Sequence, residues 1–130
     1  MKPPLVLVVD DDTDVCEIIA LALRDQFRVV TLHNGREAIE QFDEIDPDVA
    51  IVDLVLPGMD GLTLCERIRE ADPDVIIIIV TATTKDSEVP DSVWRIGTPA
   101  DAFLSKPFDP SELRNLIQKL RAEAEQSRPG

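Results

Sequence analysis

Apolar and polar positions along this chain follow two periods, and the two take turns. Runs of strand length stand at Leu5–Val9, Arg28–Leu32, Val49–Val52 and Val75–Val80, with a shorter one at Ala102–Leu104. Unbroken β-branched and aliphatic runs are the pattern of strands covered on both faces. "VIIIIV" at Val75–Val80, bounded by Pro73 and a threonine-rich loop, is the clearest of them. Between the runs the spacing becomes helical. A helix from about Asp14 turns Val15, Ile18, Ile19 and Ala22 inward. Asn34, with Glu37 three residues on, opens a second helix burying Ala38, Ile39 and Phe42. After the loop "PGMDG", Asp60 caps a third, which carries Leu64, Cys65 and Ile68. "DPSE" at 109–112 starts the last helix with an Asp cap, proline at the first position and Glu112 closing the box. Its buried stripe is Leu113, Leu116, Ile117 and Leu120.

Strand and helix alternating in this way predict an α/β fold, a doubly wound five-stranded parallel sheet with helices on both faces. At 130 residues the chain makes one domain. Residues 1–121 are assigned to it, and 122–130, where the sequence turns polar, to a fraying helix end and a tail or linker stub. One segment breaks the pattern. A fourth helix belongs between Thr83 and Asp101, but proline in a helix interior costs about 3 kcal/mol. The expected helix is therefore short, running from Pro90 to Gly97, or kinked at Pro90.

Charge narrows the function. The formal net charge is −13, which argues against direct binding to nucleic acid or to an anionic membrane, since both need a basic footprint. A divalent cation or a basic partner surface suits the balance. No apolar run reaches membrane-spanning length, and the N-terminus lacks a signal-peptide pattern, so a cytoplasmic location is expected. Cys16 and Cys65 form no CxxC motif and read as reduced, packed thiols on opposite faces of the sheet.

In open parallel sheets, ligands bind beyond the carboxyl ends of the strands, where the strand order reverses. The first strand delivers Asp10 and Asp11 there, the third Asp53, the fourth Thr81 and the fifth Lys106. Carboxylates crowded together are costly alone but make a hard oxygen site for Mg²⁺, with waters and phosphoryl oxygens completing the shell. Lys106 adds positive charge where a phosphoryl group would be negative, and Thr81 offers a hydroxyl to one of its oxygens. A carboxylate beside a metal and a lysine suits in-line phosphoryl transfer.

"VVDDD", "VDLVLPGMDG", "IVTA" and "FLSKPF", in this order and across nearly the whole chain, resemble the signature segments of response-regulator receiver domains of two-component signalling. The resemblance implies the flavodoxin-like strand order 2-1-3-4-5. It implies Asp53 as phosphoacceptor, taking the phosphoryl group from a histidine kinase or histidine phosphotransfer protein. Asp10 and Asp11 would hold Mg²⁺ together with Asp53 and the backbone carbonyl of Val55. Lys106 would pair with phosphoryl oxygens, Thr81 would move toward them, and Phe103 would report the change as the switch aromatic. A cis Lys106–Pro107 bond, catalysis limited to the module's own phosphorylation and dephosphorylation, and an output surface around the fourth helix, fifth strand and fifth helix follow as well. So does the option of a homodimer. Two departures stand out. The span from Thr81 to Lys106 is longer than usual and contains Pro90 and Pro99, and "GTPADAF" replaces the usual Gly-Ala-Asp lead into strand five. Both bear on the output partner rather than on the phosphoryl chemistry.

Plainer roles fit the remaining residues. Asp12 and Asp14 read as helix-capping residues rather than metal ligands. His33, the only histidine, reads as a surface residue away from the site, Thr83 as an exposed loop residue, and Trp94 as a core anchor of the fourth helix. Two other functions compete. A Mg²⁺-dependent aspartyl-phosphate phosphatase would need Thr or Val where Asp14 stands, and a later acidic pair. A receiver fold that binds its partner without phosphorylation is supported only by the unusual segment before strand five.

Overall fold

The computed structural model describes residues 2–82 and 99–127. Its elements are β1 (Leu5–Val9), α1 (Thr13–Leu23), β2 (Arg28–Leu32), α2 (Gly35–Ile45), β3 (Val49–Asp53), α3 (Gly61–Ala71), β4 (Ile76–Ala82), β5 (Ala102–Lys106) and α4 (Pro110–Ser127). The expected helix around Pro90, with Thr83, Trp94 and Gly97, lies outside the described residues.

All strand pairs are parallel, in the order β2-β1-β3-β4-β5. Because side chains alternate across a strand, each apolar run feeds two cores. Leu7, Val9, Ala50, Val52, Ile77 and Ile79 meet Ala38 and Phe42 of α2 and Leu64 and Ile68 of α3. Val6, Val8, Val49, Ile51, Ile76 and Ile78 meet Ile19 and Leu23 of α1 and Leu113 and Ile117 of α4. The free, buried thiols of Cys16 and Cys65 belong to opposite cores, as the topology requires.

The helix starts lie where the capping residues put them. Asp12 accepts from the N–H groups of Asp14 and Val15, Asn34 from Glu37, Asp60 from Thr63 and Asp109 from Ser111. That Ser111 bond also holds the Asp109 carboxyl below its ordinary range. Inside α1 the expected face is rotated. Cys16, Ile19 and Leu23 are buried, Val15 and Ala22 are half-buried, and Ile18 is 51% exposed. This helix is apolar nearly all round, so spacing alone could not select which stripe faces the sheet.

Two strands run further than their apolar runs. Pairing of Thr81 with Ser105 and of Ala82 with Lys106 carries β4 and β5 beyond the hydrophobic stretch. Thr81 and Lys106 therefore lie inside strands rather than just past them. The last helix continues to Ser127, so the first part of the polar stretch after residue 121 is helical. At the opposite end of the sheet, Arg69 of α3 donates to the carbonyls of Pro73, Val75 and Pro99 and pairs with Asp101 at 2.9 Å. Asp101 also accepts the Ile77 N–H, fixing where the chain enters β5.

Ile78, fully buried between Ile51 of β3 and Ala102 of β5, tests how tightly this core is packed. Ile78→Ala is expected to cost about 3 kcal/mol of unfolding free energy, read from the shift of the urea midpoint at unchanged slope.

Candidate functional site

The strand order reverses at β1, with β2 on one side and β3 on the other. Asp10 follows β1, and Asp53 ends β3, so the reversal sets two carboxylates side by side. The ligand oxygens of Asp10, Asp11 and Asp53 all lie within 4.8 Å of one another, the first and third buried and the second exposed.

Local hydrogen bonds explain how a strand can end on so many acids. Asp10 Oδ1 accepts the Asp12 N–H at 2.9 Å, turning the chain out of β1. Asp12 then caps α1, and Asp14 lies in the first turn, beside the positive end of the helix dipole. Two of the four acids in "DDDTD" thus serve the helix, as expected. Asp10 Oδ2 receives the Lys106 ammonium at 2.7 Å, and Asp53 Oδ2 receives it at 3.3 Å. Asp53 Oδ1 accepts the Val55 N–H at 3.1 Å. Among the described residues no buried side-chain polar atom lacks a partner.

These contacts set the proton affinities. Burial raises the Asp53 carboxyl above its ordinary value; the Val55 N–H opposes this, the charge of Asp10 adds to it, and Lys106 opposes it. Burial alone would lower the Lys106 ammonium, but its hydrogen bond to Asp10 and the charges of Asp10 and Asp53 raise it overall. The lysine is therefore a firmly held cation.

The other expected residues are placed by register. Asp53 pairs with Val80, so Thr81 stands one residue beyond it toward the same end of the sheet, half-buried. Phe103 pairs with Ile79 and packs, half-buried, against the core under α2 and α3. Val55 follows β3 and is 73% exposed. The Lys106–Pro107 peptide is cis.

Two residues that the sequence reading did not connect to the site border it. His33 is exposed, as expected, yet its Nδ1 lies 3.1 Å from the main-chain oxygen of Asp10, so it is not remote. Gly61 opens α3 directly against β3. A Cβ there would stand 2.3 Å from the Asp53 oxygen and 2.7 Å from the Leu54 Cα, while its N–H bonds the Leu54 carbonyl at 2.8 Å. Glycine in "MDG" was visible, but only the packing shows that it lets α3 close on the backbone of Asp53.

Three hard carboxylate oxygens, without nitrogen or sulfur donors among them, fit a small divalent cation such as Mg²⁺. Comparison with known proteins agrees with this chemistry. The family model described as the response regulator receiver domain matches residues 6–118. The regulatory protein VanR of Enterococcus faecium is 37% identical over 119 residues, 91% of this chain and 48% of that protein. The chain spans about half the length of the curated relatives it matches. Among solved structures, a CheY-like response regulator receiver domain protein from Methanospirillum hungatei superposes with a TM-score of 0.86 at 26% identity, covering 98% of this chain and all of that one. The response regulator TrrA of Thermotoga maritima, solved in complex with Mg²⁺ and BeF, superposes at 0.74 with 33% identity, covering 92% and 99% of the two chains.

The chain belongs to the response-regulator receiver family, and its acidic cluster is a phosphoaccepting aspartate site of the receiver type. No helix among the described residues is long and apolar enough to cross a membrane.

Three outcomes follow for the site. Because the Asp53 carboxyl is raised in the folded protein, the native state binds more protons than the unfolded one between the ordinary value, about 3.9, and the raised one. Stability therefore falls as pH rises through that window, and the ionised carboxylate weighs against the fold at neutral pH. In chelator at pH 7, Asp53→Asn should melt above wild type, with the difference closing in acid. Mg²⁺ at ten times its Kd should stabilise the wild type by about 1.4 kcal/mol, and the Asn variant by less at the same concentration. Gly61→Ala should cost about 1–3 kcal/mol and slow phosphorylation as well, because the added methyl group must push the Asp53 backbone aside.

Proposed function

We propose that Asp53 accepts a phosphoryl group from the phosphohistidine of a sensor histidine kinase or histidine phosphotransfer protein. The observation that carries this reading is one ammonium, Lys106, bridging Asp10 and Asp53 at the point where the strand order reverses. An Asp53 carboxylate oxygen attacks phosphorus in line. The P–N bond to the donor breaks, its electron pair returns to the imidazole, and a P–O bond to Asp53 forms. Val55 N–H and Lys106 orient the carboxylate before attack. As charge builds on the transferred oxygens, Lys106 is already positioned to pair with them, and the Thr81 hydroxyl donates to another.

Asp10, Asp11 and Asp53, with the Val55 carbonyl, would hold Mg²⁺. When bound, that ion neutralises charge on the phosphoryl oxygens. The chain's own catalysis is confined to gaining and losing this phosphoryl group. Phe103 and Thr81 carry the change to the surface around β5, α4 and the segment before β5, where an output partner or domain reads it, with a homodimer as one route. Residues 1–121 form the receiver, and the polar end of α4 leads out of it. The acidic balance suits a basic partner surface rather than nucleic acid, in a cytoplasmic setting.

Incubation with acetyl phosphate and Mg²⁺, followed by intact mass, tests the reading. One added phosphoryl group is expected on the wild type and none on Asp53→Asn or in chelator. Modification that persists in the Asn variant would remove Asp53 from this role. A wild type that neither gains the group nor binds beryllofluoride would remove the phosphoacceptor function.

A further inference from the structure

The acidic cluster is approached from behind by two side chains that phosphoryl transfer does not use. His33, directly after β2, has Nδ1 3.1 Å from the main-chain oxygen of Asp10. Cys16 of α1 has Sγ 3.3 Å from the same oxygen and 3.8 Å from His33 Nδ1. A carbonyl only accepts hydrogen bonds, so the network assigns the proton of the neutral imidazole to Nδ1. The Cys16 thiol donates to the same oxygen. Two donors thus converge on one carbonyl oxygen. On the other side, the Asp10 N–H donates to the Leu32 carbonyl at 3.1 Å.

The carbonyl so held belongs to the peptide group joining Asp10 to Asp11. That group is planar and rigid. Restraining its oxygen, with the Asp10 N–H bonded to Leu32, restrains the Cα positions from which the two carboxylates extend. We propose that His33, together with Cys16, is a positioning residue that clamps the Asp10–Asp11 peptide and so holds the two carboxylates in place for a divalent cation. This rests on the reading of the cluster as a Mg²⁺-dependent phosphoacceptor site. If the contact merely joined β2 to β1, its loss would lower stability and leave cation affinity alone.

The test is direct titration of the whole chain with Mg²⁺ by calorimetry, without a phosphodonor, with melting temperatures recorded in chelator. His33→Ala is expected to weaken binding about tenfold, and His33→Asn, whose amide nitrogen can stand where Nδ1 stands, to return it to within about twofold. His33 is exposed, so both variants should fold. At a pH where the ring is neutral, ¹⁵N spectra of the wild type should show the proton on Nδ1. Unchanged Mg²⁺ affinity in His33→Ala, with a wild type that binds Mg²⁺ and is phosphorylated, would overturn the positioning role and leave the phosphoacceptor site intact. Failure of His33→Asn to recover what His33→Ala loses, or a proton on Nε2, would overturn the hydrogen-bonded clamp. A wild type that neither binds Mg²⁺ nor accepts a phosphoryl group would overturn the reading of the site and this role with it.

Discussion

One ammonium group holds the carboxyl end of this sheet together. Lys106 reaches from β5 across to Asp10 beyond β1 and to Asp53 at the end of β3, at 2.7 and 3.3 Å. Without it, two buried carboxylates would face each other with an exposed third beside them, and burial would favour their neutral forms. Lys106 opposes the rise that burial imposes on the Asp53 carboxyl, in a partly dry setting where electrostatic interactions are stronger than in water. The same bond ties the last strand of the sheet to the first strand of the sequence. One contact thus serves both the charge balance of the site and the link between β5 and β1.

Around that contact, the fold puts its constraints on the main chain. Asp10 is held through its N–H by Leu32 and through its carbonyl by His33 and Cys16. The backbone at Asp53 and Leu54 receives the first turn of α3 so closely that any Cβ at 61 would force it to shift. Each carboxylate is thus borne on a backbone fixed independently of the charges it carries. Such support lets a site keep its shape when its net charge changes, as it does on gaining a metal or a phosphoryl group.

Much of this was legible in the sequence because the signals are local. Apolar runs named the strands, and Asp12, Asn34, Asp60 and Asp109 named the helix starts. The order of Asp10, Asp11, Asp53 and Lys106 at strand ends pointed to the cluster, with Thr81 brought to the same end of the sheet by register. What escaped was set by packing between elements. Spacing in α1 could not choose between Ile18 and Cys16 for the buried stripe, because both sides of that helix are apolar. Strand lengths at Thr81 and Lys106 depended on pairing with a neighbour, which no single run reveals. His33 read as a bystander because its partner is a main-chain oxygen, which leaves no trace in residue types.

The two charged ties of β5 act on the strand as a mechanical element. Arg69 grips Asp101 just before its start, and Asp10 and Asp53 grip Lys106 at its end. A strand pinned at both ends transmits tension rather than drifting. Drawing Lys106 toward a new anion loads the strand against a fixed anchor at Asp101, and between the two grips stands Phe103, half-buried over the core. In such a taut span a small displacement at one terminus becomes a change of stress along its length.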